Sequence, residues 1–333
     1  MTLRHVLTVG IMALLVAMAL PAMAWEPDVN GYSQFRYEYS DADDDGDFDT
    51  RRVRLNWKDT VNEQGTTFRI QLDFSDLLAR EGQEVSPRDI WLSHPFAQDW
   101  SARVGYGTVM FGYELEYSSS KRLPFERARV TRTFFPGERG LGVFATYHSP
   151  AGPGVNFDLG VIDGMDDWHR DRLDDATSFV ANAEVPFGGN SVAGVSYMTS
   201  NIDVEATATD PAVDFDPSVW GAHVRWNGAG QASGWALQAE YMDGDWYDHR
   251  NYAVADASGW YGLAEFTPNE SDATIFYRYD ELDVSGASDY SRHTIGTAWE
   301  VFANNRVTLQ IEDIDDGGDG DTTVGVQWQV IYK

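Results

Sequence analysis

A cluster of positively charged side chains lies between Ser119 and Gly140, in a chain that is otherwise strongly acidic. The 333 residues have a formal net charge of −29, yet this stretch has six cations against two anions. The cations are Lys121, Arg122, Arg127, Arg129, Arg132 and Arg139. Arginine presents several donors in a planar fork without deprotonating, and lysine is a compact point charge. The stretch therefore has the chemistry to bind small anions such as phosphate or carboxylate.

A second set of cations lies on strands with period-two alternation near the start of the chain. In Arg51 to Lys58, for example, Val53, Leu55 and Trp57 alternate with polar residues. Because successive side chains of a strand point to opposite faces, the alternating cations share one face. This set is Arg36, Arg52, Arg54, Lys58 and Arg69, with Arg103 as a further candidate. We expect both sets to line one path for anions.

A purely structural role for these cations is the alternative. They could pair with carboxylates such as Asp73 or Glu38 and simply fix the cationic stretch in place. Of the cations in that stretch, Arg139 has the most structural position, because it lies at a Gly-rich return into the next strand.

The elements that must position these residues are predicted by alternation, which recurs sixteen times. The first strand includes Gln34 to Tyr39, and the others are 51–58, 66–75, 88–96, 100–107, 140–149, 155–164, 177–187, 191–200, 218–228, 233–243, 258–267, 271–282, 290–302, 305–314 and 322–332. Short connections alternate with long ones, and the longest is 108–139. An even strand number with alternating loop lengths is typical of outer-membrane barrels.

The fold class that these patterns favour is all-β, a 16-stranded antiparallel transmembrane β-barrel. A soluble sandwich or lectin is the alternative. Strands of about ten residues suit a tilted crossing of a bilayer, and polar faces rich in Arg, Lys, Gln and Thr fit a wet interior. Only a closed barrel pairs every backbone group of a sheet within lipid. We expect the 108–139 connection to fold inward as a constriction loop.

The first 24 residues have the pattern of a secretory signal peptide. Arg4 and His5 precede an apolar run from Val6 to Leu20, and Ala22-Met23-Ala24 resembles a cleavage site. A membrane anchor is the alternative, but the apolar run is short for a span. We expect a barrel domain over residues 25–333. It has no cysteines, so it must be stable without disulfides.

Other classes of function have little support in the sequence. With 53 acidic against 24 basic residues, we expect no nucleic-acid partner. Ser93-His94 and Asp167-Trp168-His169 supply catalytic side-chain types, but no G-x-S-x-G motif accompanies them, so we expect no enzyme and no cofactor.

Two acidic stretches resemble calcium loops only in part. The run from Asp41 to Asp49 opens as D-x-D-x-D-G, but Arg52 stands where a bidentate Glu is required. The run from Asp313 to Asp321 is similar. We interpret both as solvated loop tips that divalent cations could bridge, and predict no specific metal site.

Several motifs resemble the phosphate-selective porin O and P family. The runs SSSKRLPFER (Ser118–Arg127) and PGERGLGV (Pro136–Val143) are similar to the region of the family's constriction loop. RVGYGTVMFGYELE (Arg103–Glu116) resembles the strand and bend before that loop, and RRVRLNWK (Arg51–Lys58) and FRIQLDFSD (Phe68–Asp76) resemble its second and third strands. The resemblance implies a sixteen-stranded trimeric porin with an arginine-lined path that narrows near mid-membrane.

The function that the resemblance implies is passive diffusion of small, phosphate-like anions across the outer membrane of a Gram-negative-type bacterium. The partners would be outer-membrane lipid and two further copies in a homotrimer. A general or cation-favouring porin is one alternative, because 32 acidic residues against 8 basic ones follow residue 140. A plugged structural or adhesive surface barrel is the other.

Overall fold

A computed structural model describes residues 28–77, 84–149, 154–163, 177–204, 213–227, 233–248 and 253–332. The predicted signal peptide and the Asp167–His169 stretch lie outside these residues. Among the described residues, none of the helices has the length and apolarity to cross a bilayer.

The described chain is almost entirely antiparallel sheet. The strands are β1 (Asp28–Ser40), β2 (Asp45–Thr60), β3 (Thr67–Asp73), β4 (Ser86–Ala97), β5 (Trp100–Thr108), β6 (Arg139–Tyr147), β7 (Asn156–Ile162), β8 (Thr177–Phe187), β9 (Ser191–Val204), β10 (Val213–Phe215), β11 (Ser218–Trp226), β12 (Gly234–Asp248), β13 (Ala253–Thr267), β14 (Ala273–Val284), β15 (Tyr290–Phe302), β16 (Asn305–Asp316) and β17 (Asp319–Tyr332). A 3₁₀ turn (Ser75–Leu77) follows β3, and one short helix, α1 (Arg129–Phe134), lies between β5 and β6.

The sheet closes on itself, because the first strand pairs with the last. β1 and β17 run antiparallel with a continuous register from Gly31 opposite Tyr332 to Ser40 opposite Thr323. Each other strand pairs with its sequence neighbours, except that β10 and β11 both pair with β9. These two segments therefore occupy one position in the wall, and the seventeen segments form a sixteen-stranded barrel. The predicted fold class is confirmed.

The two faces of the wall have opposite character. In β17, Val324, Val326 and Trp328 are 39–49% exposed, whereas Gln327 and Gln329 between and beside them are buried. The same alternation of exposed apolar and buried polar side chains runs through β14, β15 and β16. The apolar face is therefore the outer surface of the cylinder, and the polar face is the inner one. This is the arrangement that a surrounding of lipid requires.

The acidic stretches differ from their predicted form as loop tips. β2 begins at Asp45, so most of the Asp41–Asp49 run pairs with β1, and the turn itself is only residues 41–44. The second stretch forms the ends of β16 and β17 around a turn at residues 317–318. Hairpin pairing here outweighs the low strand propensity of Asp and Gly. Among the described residues, no group of carboxylates or histidines has the arrangement of a metal site.

Candidate functional site

Residues 109–138, called the inserted segment below, connect β5 to β6 and include α1. Its apolar side chains pack against the inner face of the wall rather than toward solvent. Phe111, Phe135 and Val130 are fully buried, in a cluster that also contains Phe144 of β6 and Tyr261 of β13. Burying side chains of this size stabilises the packed position by roughly 1.5–3 kcal/mol each. The inserted segment is therefore a fixed part of the fold.

Wall arginines from the last strands donate hydrogen bonds to main-chain carbonyls of the inserted segment. Arg306 Nη2 binds the carbonyl oxygens of Ser120 at 3.1 Å and Arg122 at 2.9 Å. Arg278 Nη1 binds the carbonyl of Glu126 at 2.7 Å, and Arg292 Nη2 binds that of Arg127 at 3.1 Å. These bonds fix the main chain of the segment and do not depend on which side chains the segment has.

Wall acceptors complete this contact by binding main-chain N–H groups. The Glu240 carboxylate accepts the N–H groups of Tyr113 and Glu114 at 3.2 Å each. Asp280 accepts the N–H of Arg129 at 2.9 Å, at the start of α1, where a negative charge is favourable. Together with the arginine contacts, these bonds form the main-chain anchor, which involves strands β12 and β14 to β16.

On the first two strands, one carboxylate of the segment binds three wall arginines, and we call this the carboxylate anchor. Glu126 Oε1 lies 2.8 Å from Arg36 Nη2 and 2.6 Å from Arg51 Nε. Glu126 Oε2 lies 2.9 Å from Arg52 Nη2. Burial acts to raise the pKa of Glu126, but the nearby guanidinium groups outweigh it and hold the pKa well below its ordinary value.

A β-bulge explains how two consecutive arginines reach the same carboxylate. In the pairing of β1 with β2, Gln34 lies opposite Arg52, but Phe35 lies opposite Thr50. Arg51 is thus the extra residue, and the local break in alternation lets its side chain and that of Arg52 approach the same face. Strict alternation predicted Arg52 on the inner face but gave no reason to expect Arg51 there.

Several of the predicted path cations are held by carboxylates or by main-chain carbonyls. Arg54 lies 2.8 Å from Asp73, and Arg69 lies 3.0 Å from Asp89. Arg127 pairs with Glu138 and also donates to the carbonyls of Glu114 and Leu115. Arg139 pairs with Glu138 at 2.9 Å, and Arg103 donates to the carbonyl of Thr108 at 2.8 Å. These contacts match the structural alternative for this subset.

Another subset of the predicted cations is accessible to solvent. Lys121, Arg129 and Arg132 of the inserted segment are exposed, as is Lys58 on β2. Arg129 also has its guanidinium carbon 5.0 Å from the ring centre of Tyr290. Most of the predicted set is thus either exposed to solvent or held by carboxylates and main-chain carbonyls.

Arg122 belongs to neither subset. Arg122 is 5% exposed, and its three side-chain nitrogens make no hydrogen bond within the described part of the chain. Burial, with the nearby charges of Arg127 and Arg52, lowers its pKa to about 9. Arg122 therefore adds positive charge to the neighbourhood of the carboxylate anchor.

The sequence interpretation missed the wall arginines of the later strands, Arg225, Arg278, Arg292 and Arg306. Arg278 is fully buried and lies 3.2 Å from Asp280, and Arg225 lies 2.7 Å from Glu265. Their signal was present, because alternation places each of them on a polar face. The sequence interpretation did not select these arginines because each is isolated among acidic residues rather than part of a cluster.

The inserted segment also bridges the seam where β1 meets β17. Gln34 of β1 and Gln329 of β17 are hydrogen-bonded to each other at 2.7 Å. Gln34 donates to the carbonyl of Ser119 at 3.2 Å, and Gln329 donates to that of Ser120 at 2.9 Å. Consecutive residues of the segment therefore contact the first and the last strand of the barrel.

Comparison with known proteins gives one family and a set of similar folds. The family model described as phosphate-selective porin O and P matches residues 29–331. No curated protein sequence matches the chain. An anion-selective porin from Comamonas acidovorans has 13% identity and a TM-score of 0.67, over 92% of this chain and 99% of that one.

Two further solved structures have similar folds. OmpT of Vibrio cholerae in its trimer form has 12% identity and a TM-score of 0.67, over 92% of this chain and 99% of that one. The outer-membrane channel DcaP of Acinetobacter baumannii has 12% identity and a TM-score of 0.65, over 94% of this chain and 99% of that one. At these identities the likeness establishes the barrel architecture alone.

Proposed function

The chain belongs to the phosphate-selective porin O and P family and is an outer-membrane porin, and from this premise we propose that it passes small anions by diffusion, with phosphate-like solutes as the preferred class. In this proposal the inserted segment narrows the water-filled interior. The proposed lining combines its cations with those of the wall, namely Lys121, Arg122, Arg127, Arg129, Arg132, Arg36, Arg52, Arg54, Lys58 and Arg69.

The observation that carries the proposal is the exposure of cations on the inserted segment. Lys121, Arg129 and Arg132 are solvent-accessible although the segment's main chain is bound to the inner face of the wall. Several weak cationic positions in succession allow an anion to enter and leave, whereas one tight site would block flow. The ion-paired members of the set would shape the path and hold its potential positive.

The net charge of the chain is a weaker guide to selectivity than the charge at the narrowing. Exposed charges are screened over about 8 Å at physiological salt, so acidic residues at the ends of the strands act little on an ion at the segment. Membership of the phosphate-selective porin O and P family and the similarity to the anion-selective porin from Comamonas acidovorans support an anionic solute.

A cation-favouring porin is the second candidate, and one part of the inner wall favours it. Glu116 of the inserted segment is exposed, and Asp158 of β7 and Glu184 of β8 are partly exposed. These carboxylates lie close enough to interact electrostatically. A solute passing them would meet negative charge.

The reversal potential of the purified protein in a planar bilayer, under a potassium chloride gradient, separates these candidates. We expect anion preference in the wild type. Lys121→Glu combined with Arg132→Glu should reverse it, because both side chains are exposed. Lys121→Arg combined with Arg132→Lys keeps both charges and should keep the preference.

Cation preference in the wild type would contradict the anionic solute and leave the porin assignment intact. Conductance no greater than background would favour a plugged barrel instead. Unchanged selectivity in the charge-reversed variant would assign the exposed cations a structural role.

We also propose that the mature chain starts after residue 24 and assembles as a homotrimer. The pattern of residues 1–24 supports cleavage, and the trimer form of the Vibrio cholerae structure supports assembly. N-terminal sequencing of protein from outer membranes tests the first proposal. The mass of the complex in mild detergent tests the second.

A further inference from the structure

The three arginines of the carboxylate anchor form a complete coordination shell for an oxyanion. Arg36 and Arg51 approach one oxygen of Glu126, and Arg52 approaches the other, all at 2.6–2.9 Å. Arginine recognises carboxylate and phosphate by donating to two oxygens of the same group from its planar guanidinium. A free oxyanion in the same position would find the same donors.

The charge of the cluster is more than one carboxylate can neutralise. Arg36 also binds Glu38 at 2.9 Å, so three guanidinium groups face two carboxylates. Arg122 is buried nearby, with no hydrogen-bonded partner among the described residues, and its charge acts on Glu126. The position is therefore positive even with Glu126 in place, and it would be more strongly positive without the Glu126 carboxylate.

Glu126 enters the shell from a rigid part of the inserted segment. The carbonyl of Glu126 accepts a hydrogen bond from Arg278 at 2.7 Å, and the N–H of Phe125 donates to Gln310 at 3.0 Å. The ring of Phe125 lies under the guanidinium of Arg36, 4.6 Å from ring centre to Cζ. A side chain presented this way loses little freedom on binding, so its effective concentration at the arginines exceeds the mM range of flexible tethers.

The shell is open to water at one edge. The side chains of Arg36 and Arg52 are each 6% exposed, but that of Arg51 is 38% exposed, and Glu126 itself is 16% exposed. A diffusing anion can therefore reach the cluster beside Arg51 without a rearrangement of the wall.

We propose that Glu126 occupies an oxyanion site formed by Arg36, Arg51 and Arg52, as a tethered competitor of the solute. The ligand class of the site is a small oxyanion with phosphate- or carboxylate-type oxygens. By filling the shell, Glu126 keeps a free anion from binding tightly there, which leaves passage fast. This inference deepens the proposed function and rests on it for the identity of the solute.

Removing the tethered carboxylate should turn the cluster into a tight anion site. Calorimetric titration of the detergent-purified protein with inorganic phosphate provides the direct measurement. We expect Glu126→Ala to bind phosphate at least about tenfold more tightly than the wild type. Glu38→Ala is the matched control, because it removes a carboxylate from Arg36 but leaves Glu126 between the other two arginines. Its affinity for phosphate should stay within about twofold of the wild type.

A second variant tests whether the gain belongs to this cluster. Arg52→Gln added to Glu126→Ala should abolish the gain, since one side of the shell is lost. In bilayers, mM phosphate should reduce the chloride current of Glu126→Ala but hardly that of the wild type.

Three results would overturn the proposal. One is equal affinity for phosphate in Glu126→Ala and the wild type, and another is a gain that survives Arg52→Gln. The third is a Glu126→Ala channel with raised, noisy conductance and no gain in phosphate binding, which would make Glu126 only an attachment of the segment. Because binding is measured without current, cation preference in the wild type would contradict the anionic function without deciding this test.

Discussion

The two anchors hold the same segment to the wall by opposite means. In the main-chain anchor, wall side chains such as Arg306, Arg278 and Glu240 bind peptide groups of the segment. In the carboxylate anchor, wall arginines bind a single side chain, Glu126. The first depends on the course of the backbone and tolerates changes in the segment's side chains. The second depends on one residue, and a single substitution removes it.

The charge balance differs as well. Arg278 and Arg292 are neutralised mainly within the wall, by Asp280 and Glu312, and Arg278 has one longer ion pair to the segment, 3.8 Å from Glu114. Their bonds to the segment therefore depend little on its charge. Arg51 and Arg52 have their ion-pair partner, Glu126, in the segment itself. The second arrangement leaves the larger unbalanced wall charge when the segment changes, so a substitution of Glu126 is the one that we expect to create a new site for an anion.

The largest expected effect comes from breaking the charge balance beneath the main-chain anchor. Asp280→Asn would leave Arg278 and Arg292 with only the more distant Glu312 as a shared carboxylate, at 3.5–3.7 Å, and would weaken the cap on the N–H of Arg129. Removing one partner of a buried ion pair costs about 3–5 kcal/mol. Urea unfolding in lipid vesicles, followed by tryptophan fluorescence, measures the loss.

Asp313→Asn is the control for this substitution, because Asp313 is exposed on β16. It should change the free energy of unfolding by less than about 0.5 kcal/mol. Equal losses in the two variants would mean that the main-chain anchor does not depend on charge balance within the wall.

A smaller effect is expected where the segment's backbone approaches the wall most closely. Gly112 has a φ of +62°, and a Cβ at this position would collide with the Glu240 carboxylate. Gly112→Ala should therefore displace that carboxylate from the N–H groups of Tyr113 and Glu114, at about 1–3 kcal/mol beyond the backbone strain. Unfolding in vesicles and single-channel current noise measure the effect.

Gly189→Ala separates the cost of backbone strain from the cost of a steric clash with the wall. Gly189 has a φ of +67°, but a Cβ there would have open space within 4 Å. It should show the strain alone, about 1–2 kcal/mol, with quiet channels. Noise in both variants, or in neither, would remove the link between this contact and the position of the segment.

The smallest effect concerns acid, and it tests the carboxylate anchor alone. The folded-state pKa of Glu126 is below its unfolded value of about 4.3, so its stabilising contribution is present above that value and is lost only as pH falls through the folded pKa. We expect single-channel conductance at constant salt to show no transition assignable to Glu126 between pH 7 and about 4.5. A change in this window that Glu126→Ala abolishes would contradict the depressed pKa.

The wall could be predicted from the sequence because alternation is a local signal. The strands 177–187 and 290–302 have the predicted ends, and each of the other predicted strands is present with shifted ends. A large shift lies at the first acidic stretch, where β2 starts at Asp45 rather than at Arg51. Pairing with β1 extended it, and such pairing cannot be read from the propensities of one segment.

The candidate site was only partly predictable, because its contacts join distant parts of the chain. Charge clustering identified the inserted segment, and alternation placed Arg36, Arg52 and Arg54 on the buried polar face. The partner of Arg36 and Arg52, however, is a carboxylate 90 and 74 residues away. Such long-range ion pairs decide which cations are exposed to solvent. The one-residue bulge that turns Arg51 toward Glu126 is not visible in the alternation of the sequence.

The bridge at the seam has a consequence for assembly in the membrane. The cylinder is complete only when the last strand meets the first, and Ser119 and Ser120 bind Gln34 on one side of that joint and Gln329 on the other. These contacts span 85 and 209 residues of sequence, so they form late and at a high cost in chain entropy. We therefore expect the segment to stabilise the pairing of the first and last strands, and a chain whose segment is misplaced to close its barrel more slowly.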